Sequence, residues 1–368
     1  LTILTRYTLK QIWIPALIAS VVISFVILLG TIGQELGKLM EVLPVAQITM
    51  VDISLISLYT LPSLAGFIFP ITFLLGIMLT FGRMAQTSEL IAAKAAGIPL
   101  RRMILPVMLA GAALSLVCFL VIDRIQPVAY QRLNQLLTSD MPHRITFDVF
   151  PTGVMHEFGD WRVYIERRDG ENVLHNIIVL TAEGDDVTAY YAETAEQFSD
   201  NGVPRITMTN VQIVGSGQTT YTNYTEKATK TLPRLAPLES ESERSGWSLT
   251  RLWATEKVTR REVEETGNHK TQIELVKIRR EIGERLAFPL MCLAVSIVAA
   301  PVGARARRSG RSYTFASGVA IIAAYFVLRS ALRTVVPDSL EMTLLVAQIP
   351  NLALVAAGLL FAWRVDRV

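Results

Sequence analysis

Apolar residues gather in six uncharged runs: Ile12–Ile32, Ile53–Gly82, Met103–Ile122, Leu286–Ala304, Ser312–Leu328 and Met342–Trp363. Each is long enough, or nearly so, to cross a hydrocarbon core of about 30 Å at about 1.5 Å per helical residue. A helix of a soluble domain is rarely apolar on every face over that length. The runs predict six transmembrane helices, three before and three after a polar stretch of well over a hundred residues. Arg6 and Lys10 precede the first run as they would in a signal peptide. That run exceeds a usual signal core and no small-residue cleavage site follows, so it reads as a retained helix.

Between the halves the period changes. Segments such as Arg162–Glu166, Ile177–Thr181, Thr188–Ala192, Arg205–Val214 and Thr219–Thr225 alternate apolar and polar positions and are rich in β-branched and aromatic residues. Turn residues separate them, including the pairs Asp169-Gly170 and Asn201-Gly202. Short strands at this spacing predict an all-β jelly roll or sandwich. Its alternating side chains fit either a greasy groove or an ordinary core. Ser248–Glu265 is charged and reads as a helix, and Gln272–Arg285 as an amphipathic helix entering the fourth run. The expected division is 1–136 for the first three spans, 137–247 for a β-jelly-roll domain, 248–285 for a helical connector and 286–368 for the last three spans.

Composition agrees with a membrane protein: 51% of residues are hydrophobic and 18% charged, against roughly 25% charged in soluble proteins. Charge also orients the spans. Arg6, Lys10, Arg83, Lys94, Arg101, Arg102, Arg305, Arg307, Arg308, Arg311, Arg364 and Arg367 all lie on the side of the termini, with Glu89 and Asp366 as the acids there. Positive charge marks the cytoplasm, so the termini are expected inside and the insert outside. Lys270, Lys277, Arg279, Arg280 and Arg285 dissent from the outer side but are outvoted.

Chemistry-bearing motifs are absent. Cys118 and Cys292 sit inside predicted spans, and His143, His156, His175 and His269 are scattered without metal-ligand spacing. Glu166, Glu183 and Glu193 read as solvated strand faces rather than an acid–base pair. Gly37-Lys38 lacks the rest of a phosphate-binding loop, and no hydrolase or dinucleotide fingerprint occurs. Any energy must come from a partner, and no cofactor or nucleic acid is expected on this chain.

The loop after the second span contains a short helix. Thr87 or Ser88 can cap it, Glu89 suits its positive end, alanines fill it, and Gly97 with Pro99 ends it. Such a helix is marginal alone in water. It fits docking onto a partner or a connection resting on lipid headgroups. Near the outer end of the fifth run, Arg329 and Arg333 share a helix face. They fit phosphate binding or snorkelling to headgroups. Lys38, after the first run, is a further candidate cation, although a lone interfacial lysine is commonplace.

Ordered motifs now converge. Phe69-Pro70, Leu74-Leu75-Gly76, Phe81-Gly82, Ser88-Glu89-Leu90 and Ala96-Gly97 resemble the hallmark run of the LptF/LptG permease family. Arg6-Tyr7, Tyr164-Ile165-Glu166, Tyr191-Ala192, Glu284-Arg285, Phe288-Pro289-Leu290, Ala300-Pro301-Val302-Gly303 and Gly310-Arg311-Ser312 extend the resemblance over nearly the whole chain. The resemblance implies a multi-pass subunit of the bacterial inner membrane. It would belong to an ABC exporter that extracts lipopolysaccharide and hands it to periplasmic bridge proteins of the LptC/LptA type. It implies a cytoplasmic ATPase dimer that binds the ATP, and a homologous permease partner or a second copy. It also makes the short helix, with Glu89, Arg83 and Arg101, the coupling contact, and lets Lys38 and Arg333 flank the lipid gate, with Arg329 beside them. Two rivals from other classes are a secondary transporter, which needs acids that the six runs lack, and a membrane-anchored receptor or scaffold without ATPase coupling.

Overall fold

The computed structural model describes residues 2–40, 49–136, 152–158, 161–169, 173–183, 186–200, 203–216, 221–231, 244, 246–305, 310–334 and 339–366. Two compact units emerge. One comprises Leu1–Leu28, Thr60–Ala129 and Arg244–Val368; the other comprises Leu29–Tyr59 and Tyr130–Glu243.

The helices in chain order are α1 (Thr2–Met40), α2 (Met50–Gln86), α3 (Glu89–Ala95), α4 (Leu100–Leu120), α5 (Gln126–Gln135), α6 (Leu249–Thr266), α7 (His269–Ala304), α8 (Gly310–Leu332) and α9 (Leu340–Asp366). Six stretches are long and apolar enough to cross a membrane: Ile3–Thr31, Met50–Gln86, Leu100–Gln135, His269–Ala304, Ser312–Leu332 and Leu340–Arg364. They agree with the six apolar runs but reach further. The amphipathic segment before the fourth run is the first part of α7, so connector and span are one continuous helix.

In the first unit the core is built from α2 and α7. Phe73, Leu74, Ile77, Met78 and Phe81 of α2 bury against Met291, Val295, Val298 and Ala299 of α7, with Ile12, Met103, Val107, Tyr325 and Leu354 closing the cluster. Sequences without a polar face suit this central place. On the peripheral spans, Val21, Leu109, Val327 and Leu360 point outward, apolar on the side that meets lipid. Small residues set the spacing. A Cβ at Gly76 would stand 2.8 Å from both the Ala16 Cβ and the Ile12 carbonyl oxygen, and one at Gly303 would stand 2.9 Å from the Met78 carbonyl oxygen.

Between α4 and α5 the helix widens into a π turn, Val121–Ile125. That turn carries Asp123, whose carboxylate accepts the Leu249 N–H at 2.8 Å. The start of α6 is thus held by an anion where the helix dipole favours one, and the Ser248 hydroxyl accepts from the Arg251 N–H. Along its length α6 packs on α7 through Leu252, Ile278 and Ile282. A buried ion pair fixes the contact: Arg279 Nε lies 2.9 Å from Glu256 Oε1, with the side chains 8% and 4% exposed.

The second unit holds one antiparallel sheet of six strands in chain order. These are β1 (Met155–Phe158), β2 (Trp161–Asp169), β3 (Val173–Glu183), β4 (Asp186–Asp200), β5 (Val203–Ser216) and β6 (Tyr221–Thr231). The all-β insert is present between the third and fourth spans. Its described pairings are those of a meander; the crossings of a jelly roll are not among them. Asp200 pairs with Val203, leaving only Asn201 and Gly202 between them. One face carries Val163, Ile165, Leu174, Ile177, Val179, Tyr190, Ala192, Met208 and Val211 as a continuous core.

A line of interruption crosses this sheet. Glu166, Asn176, Glu193, Asn210 and Glu226 stand side by side on β2 to β6, and none of them joins the paired register. Asn176 and Asn210 adopt φ of 50° and 56°, a left-handed conformation that asparagine tolerates. Their amides donate to Glu166 Oε2 at 2.6 Å and Glu193 Oε2 at 2.7 Å. Across the line the buried positions slip by one residue, from Leu174 to Ile177, Ala192 to Ala195 and Met208 to Val211. The register itself is unchanged on either side of the line, so no residue is inserted and only the inward-facing side switches.

Candidate functional site

The loop joining the second and third spans is compact. Leu90 of α3 is buried in the main core with Met84, Ala85 and Leu100, and Ala93 and Ile98 pack on its edge. The opposite face presents Ile91, Ala92, Ala95 and Ala96 outward. At the end of α3 the Gly97 N–H donates to the Lys94 carbonyl and the Ile98 N–H to the Ala93 carbonyl, at 2.9 and 3.0 Å. Gly97 has φ of 77°, so this is the Schellman stop expected of a glycine there. The start differs from expectation. Ser88 takes a left-handed φ of 62° and its side chain makes no cap. With Thr87 it forms a connection too tight for a capping geometry, and the Thr87 hydroxyl donates instead to Glu89 Oε1 at 2.9 Å.

Glu89 is also reached from α1. The Tyr7 hydroxyl donates to Glu89 Oε2 at 3.2 Å. Among the described residues neither Arg83 nor Arg101 pairs with Glu89. Arg83 is half-buried and its Nη2 has no hydrogen-bond partner there, while Arg101 is exposed. The carboxylate is therefore oriented by two hydroxyls, and no ion pair to it occurs among the described residues.

The second site lies where α7, α8 and α9 converge. A cleft is lined by Arg280, Glu284, Arg329 and Arg333 on its polar side, and by Val276, Leu332, Val346 and Pro350 on its apolar side. Helical spacing of four brings Arg280 above Glu284 and Arg329 above Arg333. The helices can meet here because a Cβ at Gly283 would lie only 3.1 Å from Ala347 Cβ. Arg333 donates through Nε to Glu284 Oε1 at 2.9 Å, with its Nη2 2.6 Å from the same oxygen. Arg280 Nη2 donates to the Arg333 carbonyl at 3.0 Å.

Arg329 is only 7% exposed. Its guanidinium carbon lies 3.9 Å from the centre of the Phe288 ring, a cation–π contact strengthened by desolvation. Nη1 donates to the Tyr325 hydroxyl at 3.2 Å, which donates in turn to Asn351 Oδ1 at 3.2 Å. The Asn351 amide then donates to the Ala287 carbonyl at 2.9 Å. Arg329 is thus an interior residue of the bundle; snorkelling describes only the half-exposed Arg333. Among the described residues, three guanidiniums face one carboxylate in the cleft.

A family model for the lipopolysaccharide export system permease LptF/LptG matches residues 6–364. The chain belongs to this family. No curated protein matches it. An LptF/LptG member is a permease of lipopolysaccharide export, a multi-pass transporter subunit of an ABC system rather than a catalytic enzyme.

In this LptF/LptG permease the predicted site residues fall into separate places. Arg329 and Arg333 come together as their spacing requires. Among the described residues Glu89 is bonded by Tyr7 and Thr87 and forms no ion pair with Arg83 or Arg101. Lys38 belongs to α1, and its side chain lies outside the described residues. Tyr7 had been visible only as part of a motif, and Tyr325, Asn351 and Phe288 were hidden inside apolar runs. Glu284 lies two residues before the fourth run among arginines of its own helix, and nothing local to it points to Arg329 and Arg333.

Proposed function

We propose that this chain is an inner-membrane permease subunit through which a cytoplasmic ABC ATPase dimer drives lipopolysaccharide toward periplasmic bridge proteins of the LptC/LptA type. It works with a homologous permease or a second copy of itself. The termini and α3 face the cytoplasm, as the arginine-rich loops require, and the sheet faces the periplasm. ATP is bound by the partner, since this chain carries no nucleotide motif.

One observation carries the reading. Helix α3 is anchored to the core on one face and leaves Ile91, Ala92, Ala95 and Ala96 uncovered on the other, with the Glu89 carboxylate held by hydroxyls and in no ion pair among the described residues. A helix of seven residues does not persist in water without packing, and a small apolar face beside a fixed charge suits a groove lined by cations. Tyr7 ties that carboxylate to α1, so a push on α3 reaches the first span. Arg83 and Arg101 then flank the contact rather than neutralising it.

Lipid recognition falls to the cleft. Arg329 and Arg333 bind lipid phosphates, and Lys38 adds a cation at the end of α1. Acyl chains are received by the apolar face of the sheet, which carries Val163 to Val211. The segments 1–136, 137–247, 248–285 and 286–368 divide the work among gate, β ramp, connector and bundle. The test is Glu89→Lys in cells depleted of the native permease. Export is expected to stop while the protein still inserts and accumulates; normal export in that variant refutes the coupling role.

A further inference from the structure

Arg329 is poised for a ligand it does not have. A guanidinium offers five donors, and here Nη1 is engaged with Tyr325. Nε and Nη2 are buried and have no hydrogen-bond acceptor among the described residues. These two atoms form the edge that grips two oxygens of one oxyanion in parallel. Glu284 Oε2 is 3.8 Å from Nη2, close enough to attract and too far to accept a hydrogen bond. Its other oxygen is committed to Arg333. Glu284 therefore satisfies Arg333 and leaves the Nε–Nη2 edge of Arg329 electrostatically shielded but without a hydrogen bond among the described residues.

We propose that Glu284 is a built-in counter-ion that competes with phosphate for Arg329 and Arg333, and so sets how tightly the cleft holds an anionic headgroup and how readily it lets go. This rests on the lipid-binding reading of the cleft and adds its regulation. A phosphate has more acceptor oxygens than one carboxylate and can bond the free edge of Arg329 while reaching Arg333. When it enters, Arg333 exchanges Glu284 for phosphate; when it leaves, the carboxylate returns and neither arginine is left without a counter-charge. Arg280 stays in place through the exchange, because it is held by the Arg333 main chain rather than by the carboxylate. The apolar wall of Val276, Leu332, Val346 and Pro350 favours a phosphate carried on an amphiphile over the free ion. An acid within an arginine cluster is thus a release device: without it the cleft binds more strongly and turns over less.

The test uses the complete transporter complex in phosphatidylcholine nanodiscs, loaded with bis-phosphorylated lipid A or with the same lipid after enzymatic dephosphorylation. Glu284→Gln is expected to retain the phosphorylated lipid about tenfold more strongly than the parent, the scale of removing one competing charge a few ångström away. Retention of the dephosphorylated lipid stays unchanged, and ATP-driven release slows. Glu284→Asp, which keeps the charge but withdraws it from Arg333, falls between and guards against a folding defect in the glutamine variant; each variant is accepted as folded if it remains monodisperse. Equal retention by parent and both variants overturns the counter-ion role while leaving lipid binding intact. No preference for the phosphorylated lipid in any of them overturns the cleft as a headgroup site altogether. Displacement by millimolar inorganic phosphate as effective as that by lipid A would assign the site to the free ion and overturn the amphiphile.

Discussion

The buried pair between α6 and α7 makes a quantitative demand. Arg279 and Glu256 meet at 2.9 Å with side chains 8% and 4% exposed, so neither charge has water to fall back on. Removing one partner of such a pair typically costs about 3–5 kcal/mol, because a desolvated charge is left behind. Replacing both with apolar residues of similar size is often neutral. Glu256→Ala should therefore loosen α6 from α7 by about 3–5 kcal/mol, whereas Glu256→Leu with Arg279→Met should recover most of that. Hydrogen exchange reads the local opening of a helix directly. At about 1.4 kcal/mol per factor of ten, the amides of Leu249–Thr266 should exchange about two to three and a half orders of magnitude faster in Glu256→Ala. In the double variant they should return to within about tenfold of the parent. The contact at Leu252, Ile278 and Ile282 is common to all variants, so it cancels in the comparison. A change below about tenfold in Glu256→Ala, the size expected of an exposed pair, would refute the claim that this pair holds the connector to the fourth span.

Two further outcomes follow from the geometry. Arg333→Glu places a second carboxylate beside Glu284 and should sharply lower crosslinking of lipid to the end of α8; unchanged crosslinking would mean that Arg333 only snorkels. Gly76→Leu drives a side chain into Ala16 and the Ile12 carbonyl, so it should destabilise the seam between the first two spans by about 1–3 kcal/mol, with Gly76→Ala milder. A thermal midpoint unchanged in the leucine variant would mean the seam is loose.

What the sequence made legible was whatever depends on pattern alone. Apolar residues on every face can only be buried or lipid-facing, so the six runs located six spans. Alternation located the strands of the insert, and Gly97 located the end of α3. Pairing across the chain was not legible. Tyr7 and Glu89 are neighbours only because α1 packs against the start of α3, and nothing local to either residue says so. Ser88 looked like a cap because of its residue type, yet the tight reversal there required a backbone conformation that a capping residue does not adopt. The interruption across the sheet left a trace that single strands conceal. Leu174 and Ile177, or Met208 and Val211, break the period of two by one residue, which in isolation resembles imperfect alternation. Only the register shows the slips to be aligned, with an asparagine and a glutamate paired at each of two places.

The location of the arginine cleft has a simple origin in helix length. Helix α7 has 36 residues, which at about 1.5 Å each extend well beyond a hydrocarbon core of about 30 Å. Its uncharged part begins at Leu286, so Arg280 and Glu284 stand on the turns just outside that part. The partner α8 has 23 residues and is nearly consumed in crossing, which puts Arg329 on its final turn and Arg333 just past its end. The two helices thus bring their charges to the same level, near the end of the apolar length that a hydrocarbon core would take up. At that depth an arginine is costly unless paired, and each has a resident partner: Tyr325, Phe288 and Asn351 behind Arg329, and Glu284 before Arg333. The polar chain of Ala287, Asn351, Tyr325 and Arg329 ties all three helices together just below the cleft. On the proposed reading, a headgroup that drew Arg333 off Glu284 would act on a joint shared by the last three spans, and the contacts that make the charges tolerable there would couple its binding to the packing of the bundle.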